Sequence, residues 1–225
     1  MFVHGNNLTQ KENLKTKYTD HEAKQFLQEI RVEYEIWKVA NQQLKGPFAT
    51  PGTNDLELLR QRVQLFSGYK DFIDQQKYAE KFDSRGNLHS SVLEEFMYYL
   101  FKDMVFGFSE LALLGKSHTF KDLFFNAPNF KEMVAKPYLK MEKKDHDFAI
   151  GVNINAKFSC AGNPSEEQHH FQVPAIAIEC KTYLDKSMLE GSSTAAEQLK
   201  HRNPNALYFV VAECLKLTEQ VNLIK

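Results

Sequence analysis

Glu179-Cys180-Lys181 places an acid and an amine two residues apart, at the end of the apolar run Ala175-Ile176-Ala177-Ile178. Strand side chains alternate between faces, so Ala175, Ala177, Glu179 and Lys181 project together while Ile176, Ile178 and Cys180 project the other way. An acid and an amine fixed side by side at the end of a buried strand are costly unless paired or employed. Carboxylate oxygens suit a hard divalent cation, and an ammonium stabilises developing negative charge, so the pair is a site candidate. The spacing alone is weak. Glu22-Ala-Lys24 and Glu142-Lys-Lys144 share it, but the first lies in a helix-patterned stretch and the second in a charged run.

A further acid opens Asp147-Phe-Ala-Ile-Gly-Val-Asn-Ile154, which also alternates. Phe148, Ile150, Val152 and Ile154 share one face, opposite Asp147, Ala149, Gly151 and Asn153. Two such strands joined by a Gly/Asn/Pro/Ser-rich stretch predict an antiparallel hairpin. If Asp147 faces Glu179, the midpoint is residue 163, inside the turn-forming Gly162-Asn163-Pro164. The small residues Ala149, Gly151, Ala175 and Ala177 would then line the face that carries the polar trio.

An Asp opening one strand and Glu-x-Lys closing the next resemble the PD-(D/E)XK nuclease signature, and the likeness runs from residue 88 to residue 214. Ser91-Val-Leu-Glu-Glu-Phe-Met-Tyr-Tyr-Leu-Phe101 matches the helix that precedes the family's hairpin. Thr194–Lys200 and Ala206–Ala212 match the helix and strand that follow it. The wording Lys-Asp-His-Asp-Phe-Ala-Ile, Glu-Cys-Lys-Thr-Tyr and Asn-Pro-Asn-Ala-Leu-Tyr looks most like type II restriction endonucleases that cut interrupted CTNAG-containing sites. One departure is that His146, not proline, precedes Asp147.

The resemblance implies an α/β (α+β) fold with a restriction-endonuclease-like core, in which a central mixed β-sheet is flanked by helices. It implies phosphodiester hydrolysis on double-stranded DNA, which needs an activated water, neutralised phosphate charge and help for the leaving alkoxide. Mg²⁺, with Mn²⁺ able to substitute, would be held by Asp147, Glu179 and the backbone carbonyl of Cys180. Lys181 would orient the attacking water. A helix acid often joins such a site, and Glu94 is the choice, with Glu95 as the alternate. Ser91-Val-Leu-Glu94 also has the spacing of a capping box, which would give Glu94 a purely local role. Asp145 shares the face of Asp147 and is its alternate.

One such site cuts one strand, so a homodimer or a heterodimer with a related subunit is expected. A structure- or damage-specific nuclease of the same fold and a non-catalytic DNA-binding module are the competing readings. Only twelve residues follow Glu213, whereas enzymes of the resembled group continue with further structure; a shortened form lacking part of its recognition or dimer surface is an expectation.

Composition sets the outer bounds. The chain has 225 residues, is 43% hydrophobic, and has a formal net charge of −1, which suits a sizeable core and gives no support to a general polyanion binder. Any DNA-binding charge must be regional. Lys131 to Lys144 is the strongest such stretch, with five lysines against two glutamates. Cysteines 160, 180 and 214 have no metal spacing and no even disulfide framework. No leader or membrane-length apolar run is read, so a bacterial cytoplasmic protein is expected. The histidines at 146, 169, 170 and 201 have no zinc or triad spacing and are assigned to polar loops. Gly191-Ser-Ser-Thr194 lacks the P-loop lysine spacing and is read as a helix N-cap.

Residues 1–86 read as a helical N-terminal region and 87–225 as the nuclease-like core, with Asp83-Ser-Arg-Gly86 as the joint. Thr19-Asp-His-Glu22 has capping-box spacing, and Phe26, Ile30, Tyr34, Trp37, Ala40 and Leu44 follow at helical intervals. A second helix from about Asn54 should bury Leu56, Leu59, Val63 and Phe66. These aromatic stripes read as core rather than as a base-stacking surface. Residues 107–138 fit strand and helix equally.

Overall fold

The computed structural model describes residues 2–83, 87–163 and 165–217. The elements are α1 (Val3–Asn13), α2 (His21–Gln43), α3 (Asp55–Ile73), α4 (Gln76–Phe82), α5 (Asn87–Phe108), β1 (Leu113–Phe125), α6 (Phe130–Ala135), β2 (Leu139–Phe158), β3 (Glu167–Leu184), α7 (Lys186–Arg202) and β4 (Leu207–Leu215). The chain resolves into two compact units. The first comprises residues 1–110, 180–190 and 210–225, and the second residues 111–179 and 191–209. Helix α5, read from sequence as the start of the core, therefore clusters with the N-terminal helices. The joint read at Asp83–Gly86 lies mostly outside the described residues.

In the first unit, α5 is apolar enough to be buried nearly all round over its first three turns, with every residue from Ser91 to Met97 buried. Helices α1 and α3 pack against it, and α2 packs on both of them. The aromatic stripes form core, as their spacing suggested. Trp37 stacks on Tyr69 with ring centroids 5.1 Å apart and meets Tyr99 edge-on at 5.3 Å.

Two details correct the sequence reading. Asp20, not Thr19, caps α2, its carboxylate accepting from the Ala23 N–H at 3.0 Å. Helix α3 turns a partly different face inward: Leu59 and Phe66 are half-buried, with Phe66 against the Phe96 ring at 4.7 Å, but Leu56 and Val63 are exposed, while Arg62, Tyr69, Lys70 and Ile73 are buried. The reason is polar. The fully buried Arg62 guanidinium donates to the carbonyls of Asn41, Leu44 and Gly46, satisfying backbone acceptors where α2 ends.

The sheet has the order β1-β2-β3-β4, with antiparallel β1–β2 and β2–β3 pairs and a parallel β1–β3 contact at Thr119 and Gln172. The stretch that fitted strand and helix equally holds both: β1, then the short α6. At the sheet centre Phe148, Ala149, Ala177 and Ile178 are all buried, so both faces are covered and burial there does not alternate. Among the described residues, no helix is long and apolar enough to cross a membrane.

Candidate active site

The β2–β3 register brings the two strand acids together. Phe148 pairs with Ile178 and Ala149 with Ala177, so Asp147 and Glu179 each lie one residue beyond the last pair, on neighbouring strands. Beyond Ile150 the register shifts by one, with Gly151 opposite Pro174. A Cβ on Gly151 would lie 2.1 Å from the Val173 carbonyl oxygen, so only glycine fits the close approach at this bulge. The small residue in β2 thus permits the shift that reconciles the outer hairpin with the acid pair.

Glu179 is half-buried and accepts hydrogen bonds from two hydroxyls on its Oε2. One comes from Tyr208 at the start of β4, and the other from Ser192 in α7 at 3.4 Å. Burial, the bond to Glu179 and the nearby Asp147 charge together push the Tyr208 hydroxyl well above its ordinary pKa, so it stays a donor. Both acids also act on His146. Burial and Lys144 hold its imidazole below the usual value, outweighing Glu179, Asp147 and Asp145, so the ring is neutral near pH 7. The ring lies edge-on to Tyr208 at 6.2 Å. It also borders a cavity of about 430 Å³ between the sheet and α7, with Phe120, Phe171 and Leu199 among its walls.

Neither Tyr208 nor Ser192 was identified from sequence as a partner of Glu179. Gly191-Ser-Ser-Thr194 is not an N-cap: α7 begins at Lys186, where Asp185 accepts from the Met188 N–H, and the tetrad lies in the helix interior. The histidines at 146, 169 and 170 lie in strands and that at 201 in α7, rather than in loops.

The other expected residues fall as follows. Cys180 is buried and Lys181 half-buried in β3, directly after Glu179. Asp145 is largely exposed and bonds the His118 ring of β1, which holds its carboxyl below the usual range. Glu94 is buried in the second turn of α5, and the described helix starts at Asn87, so Ser91 is a helix-interior residue and no capping box forms there. Its neighbour Glu95 is fully buried. It accepts from the N–H groups of His4 and Gly5 at 3.0 and 3.2 Å and from the hydroxyls of Tyr34 and Tyr99 at 3.1 and 3.0 Å. That set makes Glu95 the anchor of the α1 N-terminus.

Among the described residues no group of three or more His, Cys, Asp or Glu side chains is placed to hold a metal ion. The strands offer two carboxylates, with a backbone carbonyl next in sequence to one of them. These are hard oxygen donors without thiolate or imidazole, a set that fits Mg²⁺ or Mn²⁺, which take one or two carboxylates and keep several waters.

A family model described as Bpu10I restriction endonuclease matches residues 86–223, more than half of the chain. No curated protein sequence matches the chain. A solved structure described as the native BbvCI A2B2 tetramer at low resolution has the same fold, with a TM-score of 0.67 at 19% identity. The match covers 99% of this chain and 77% of that one.

Proposed function

The chain belongs to the Bpu10I restriction endonuclease family, and from that premise we propose that it is a Mg²⁺-dependent, sequence-specific type II endonuclease that hydrolyses double-stranded DNA. The observation that carries the proposal is the in-step placing of Asp147 and Glu179 on paired strands. Asp147, Glu179 and the Cys180 carbonyl would hold the cation, which when bound supplies positive charge at the phosphate and a more acidic water. Tyr208 and Ser192 fix the Glu179 carboxylate through its Oε2. Lys181, next on the Glu179 face by strand alternation, orients the attacking water and stabilises charge on the phosphate. Glu94 enters as a further acid from the resemblance alone. Interrupted CTNAG-containing sites are the proposed targets on the same ground.

Cutting both strands takes two such centres. The related BbvCI structure is described as an A2B2 tetramer, so we assign this chain a partner, either a second copy or a related subunit. We assign the enzyme to the bacterial cytoplasm, where restriction would act on incoming DNA.

Incubation with plasmid DNA and Mg²⁺ is expected to give discrete fragments whose sequenced ends share one site, and Lys181→Ala should abolish them without altering the unfolding midpoint. Cleavage confined to branched or damaged DNA would replace this reading with a structure-specific nuclease. Inactivity on all DNA, with no divalent-ion binding by calorimetry, would leave a non-catalytic module.

A further inference from the structure

Beyond Gly151, residues 152–158 of β2 pair with residues 167–173 of β3 as a ribbon that meets β1 at one bridge, Thr119 with Gln172. One side of that ribbon carries an unusual set of exposed groups. Asn153 lies opposite Gln172 and Asn155 opposite His170, and each pair is joined by a side-chain hydrogen bond: Gln172 Nε2 donates to Asn153 Oδ1 at 3.3 Å, and the His170 ring contacts Asn155 Oδ1. Gln172 Oε1 also accepts from the His118 N–H of β1 at 3.1 Å, which ties the ladder to the next strand. Asn153, Asn155 and His170 are solvent-exposed and Gln172 is half-buried.

Asn is depleted in strands, where Thr and other β-branched residues are enriched. Here four neighbouring positions are planar amides and an imidazole. Each amide offers an acceptor and two donors, of which one cross-strand bond uses only a part. The cross-strand bonds hold the planes in place before any ligand arrives, which lowers the ordering cost of recognition.

We propose that this ladder reads base edges in the major groove of double-stranded DNA. The inference rests on the endonuclease reading above. The major groove admits a two-stranded β-ribbon, Asn and Gln bond adenine in bidentate fashion, and an imidazole N–H reaches the acceptors of a purine. The two pairs are two residues apart along the strand, roughly 7 Å, close to the rise of two base pairs. Asn153–Gln172 and Asn155–His170 therefore address positions about two base pairs apart in the site.

Selection of bound duplexes from a random-sequence pool in Ca²⁺ tests the ladder without requiring cleavage, using wild type, Asn153→Ala/Gln172→Ala and Asn155→Ala/His170→Ala. The wild type is expected to enrich one consensus. Each double variant should lose preference at one or two positions of it and bind the wild-type consensus about 5–150-fold more weakly. Salt dependence should stay the same, because phosphate contacts are untouched. Unchanged unfolding midpoints would show that these surface changes leave the fold intact. Variants that keep the wild-type consensus and affinity overturn the proposal, as does a uniform loss on all sequences or a wild type that enriches nothing. A wild type that cuts at a site unaffected by the variants refutes the ladder and leaves the nuclease. One that selects a ladder-dependent consensus but cuts nothing does the reverse.

Discussion

Two glutamates show how differently this fold uses a carboxylate. Glu95, in the first unit, is fully buried and receives four hydrogen bonds, from two backbone N–H groups and two tyrosine hydroxyls, all from protein that packs permanently around it. Glu179, in the second unit, is half-buried, receives two hydroxyls on a single oxygen and stands across the strand pair from a second acid, both one residue beyond the Phe148–Ile178 pair. Burial raises the Glu95 pKa, although all four bonds oppose the shift. The first arrangement spends a charge to lock an α-helix in place. The second sets two carboxylates on neighbouring strands, an arrangement that the proposed cation would bridge.

Substituting each glutamate separates the two uses. Glu179→Gln is expected to lower single-turnover cleavage by on the order of 10²–10³-fold while leaving the urea midpoint essentially unchanged. Glu95→Ala should instead cost about 3 kcal/mol of stability, because it strands buried donors, and should show as a lower urea midpoint with near-normal activity in the fraction that remains folded. Equal stability losses from the two changes would erase the distinction.

A finer division concerns what holds Glu179. Tyr208→Phe removes a hydroxyl bonded to a charged acceptor, worth about 1.5 kcal/mol and so roughly tenfold in rate. Tyr208 is a positioning residue, so the readout is the Mg²⁺ dependence: the half-saturating concentration should rise and excess Mg²⁺ should restore much of the rate. A purely structural tyrosine would lower the rate equally at every Mg²⁺ concentration.

Legibility from sequence followed the same line. The acid pair was readable because strand alternation and turn chemistry are local, and residue 163 as midpoint implies a register that the structure shows at Phe148–Ile178. The bulge at Gly151 had a signature in the lone glycine of an otherwise alternating strand, which was read only as a small residue on the polar face. Tyr208 and Ser192 were invisible as Glu179 partners, since hydroxyls that meet a carboxylate 29 and 13 residues away follow no period. The α3 face was misassigned because amphipathicity counts an arginine as solvated, whereas Arg62 is buried against three carbonyls. His146 was assigned to a loop from its polarity, yet it is a buried strand residue beside Tyr208.

The most gradual expected effect belongs to the Glu95 side of the comparison. His4 gives its backbone N–H to Glu95, while its ring nitrogens contact the hydroxyls of Ser91 at 3.1 Å and Tyr69 at 2.7 Å. Full burial drives its pKa from 6.5 down to about 3, so the folded state resists a proton that the unfolded chain accepts. Stability is then complete above the unfolded value and falls as pH drops below it, through a window extending to about 3. Between pH 7 and pH 6 the loss from this one group is about 0.7 kcal/mol, steepening toward about 1.4 kcal/mol per unit further down. The raised Glu95 pKa works the other way just above pH 4.5, because a folded carboxyl that binds its proton more readily gains stability as pH falls there. Urea midpoints from pH 8 to pH 5 should therefore decline for the wild type and flatten for His4→Asn. An identical decline in both would assign the acid sensitivity to other groups and leave the His4–Glu95 contact without a share in it.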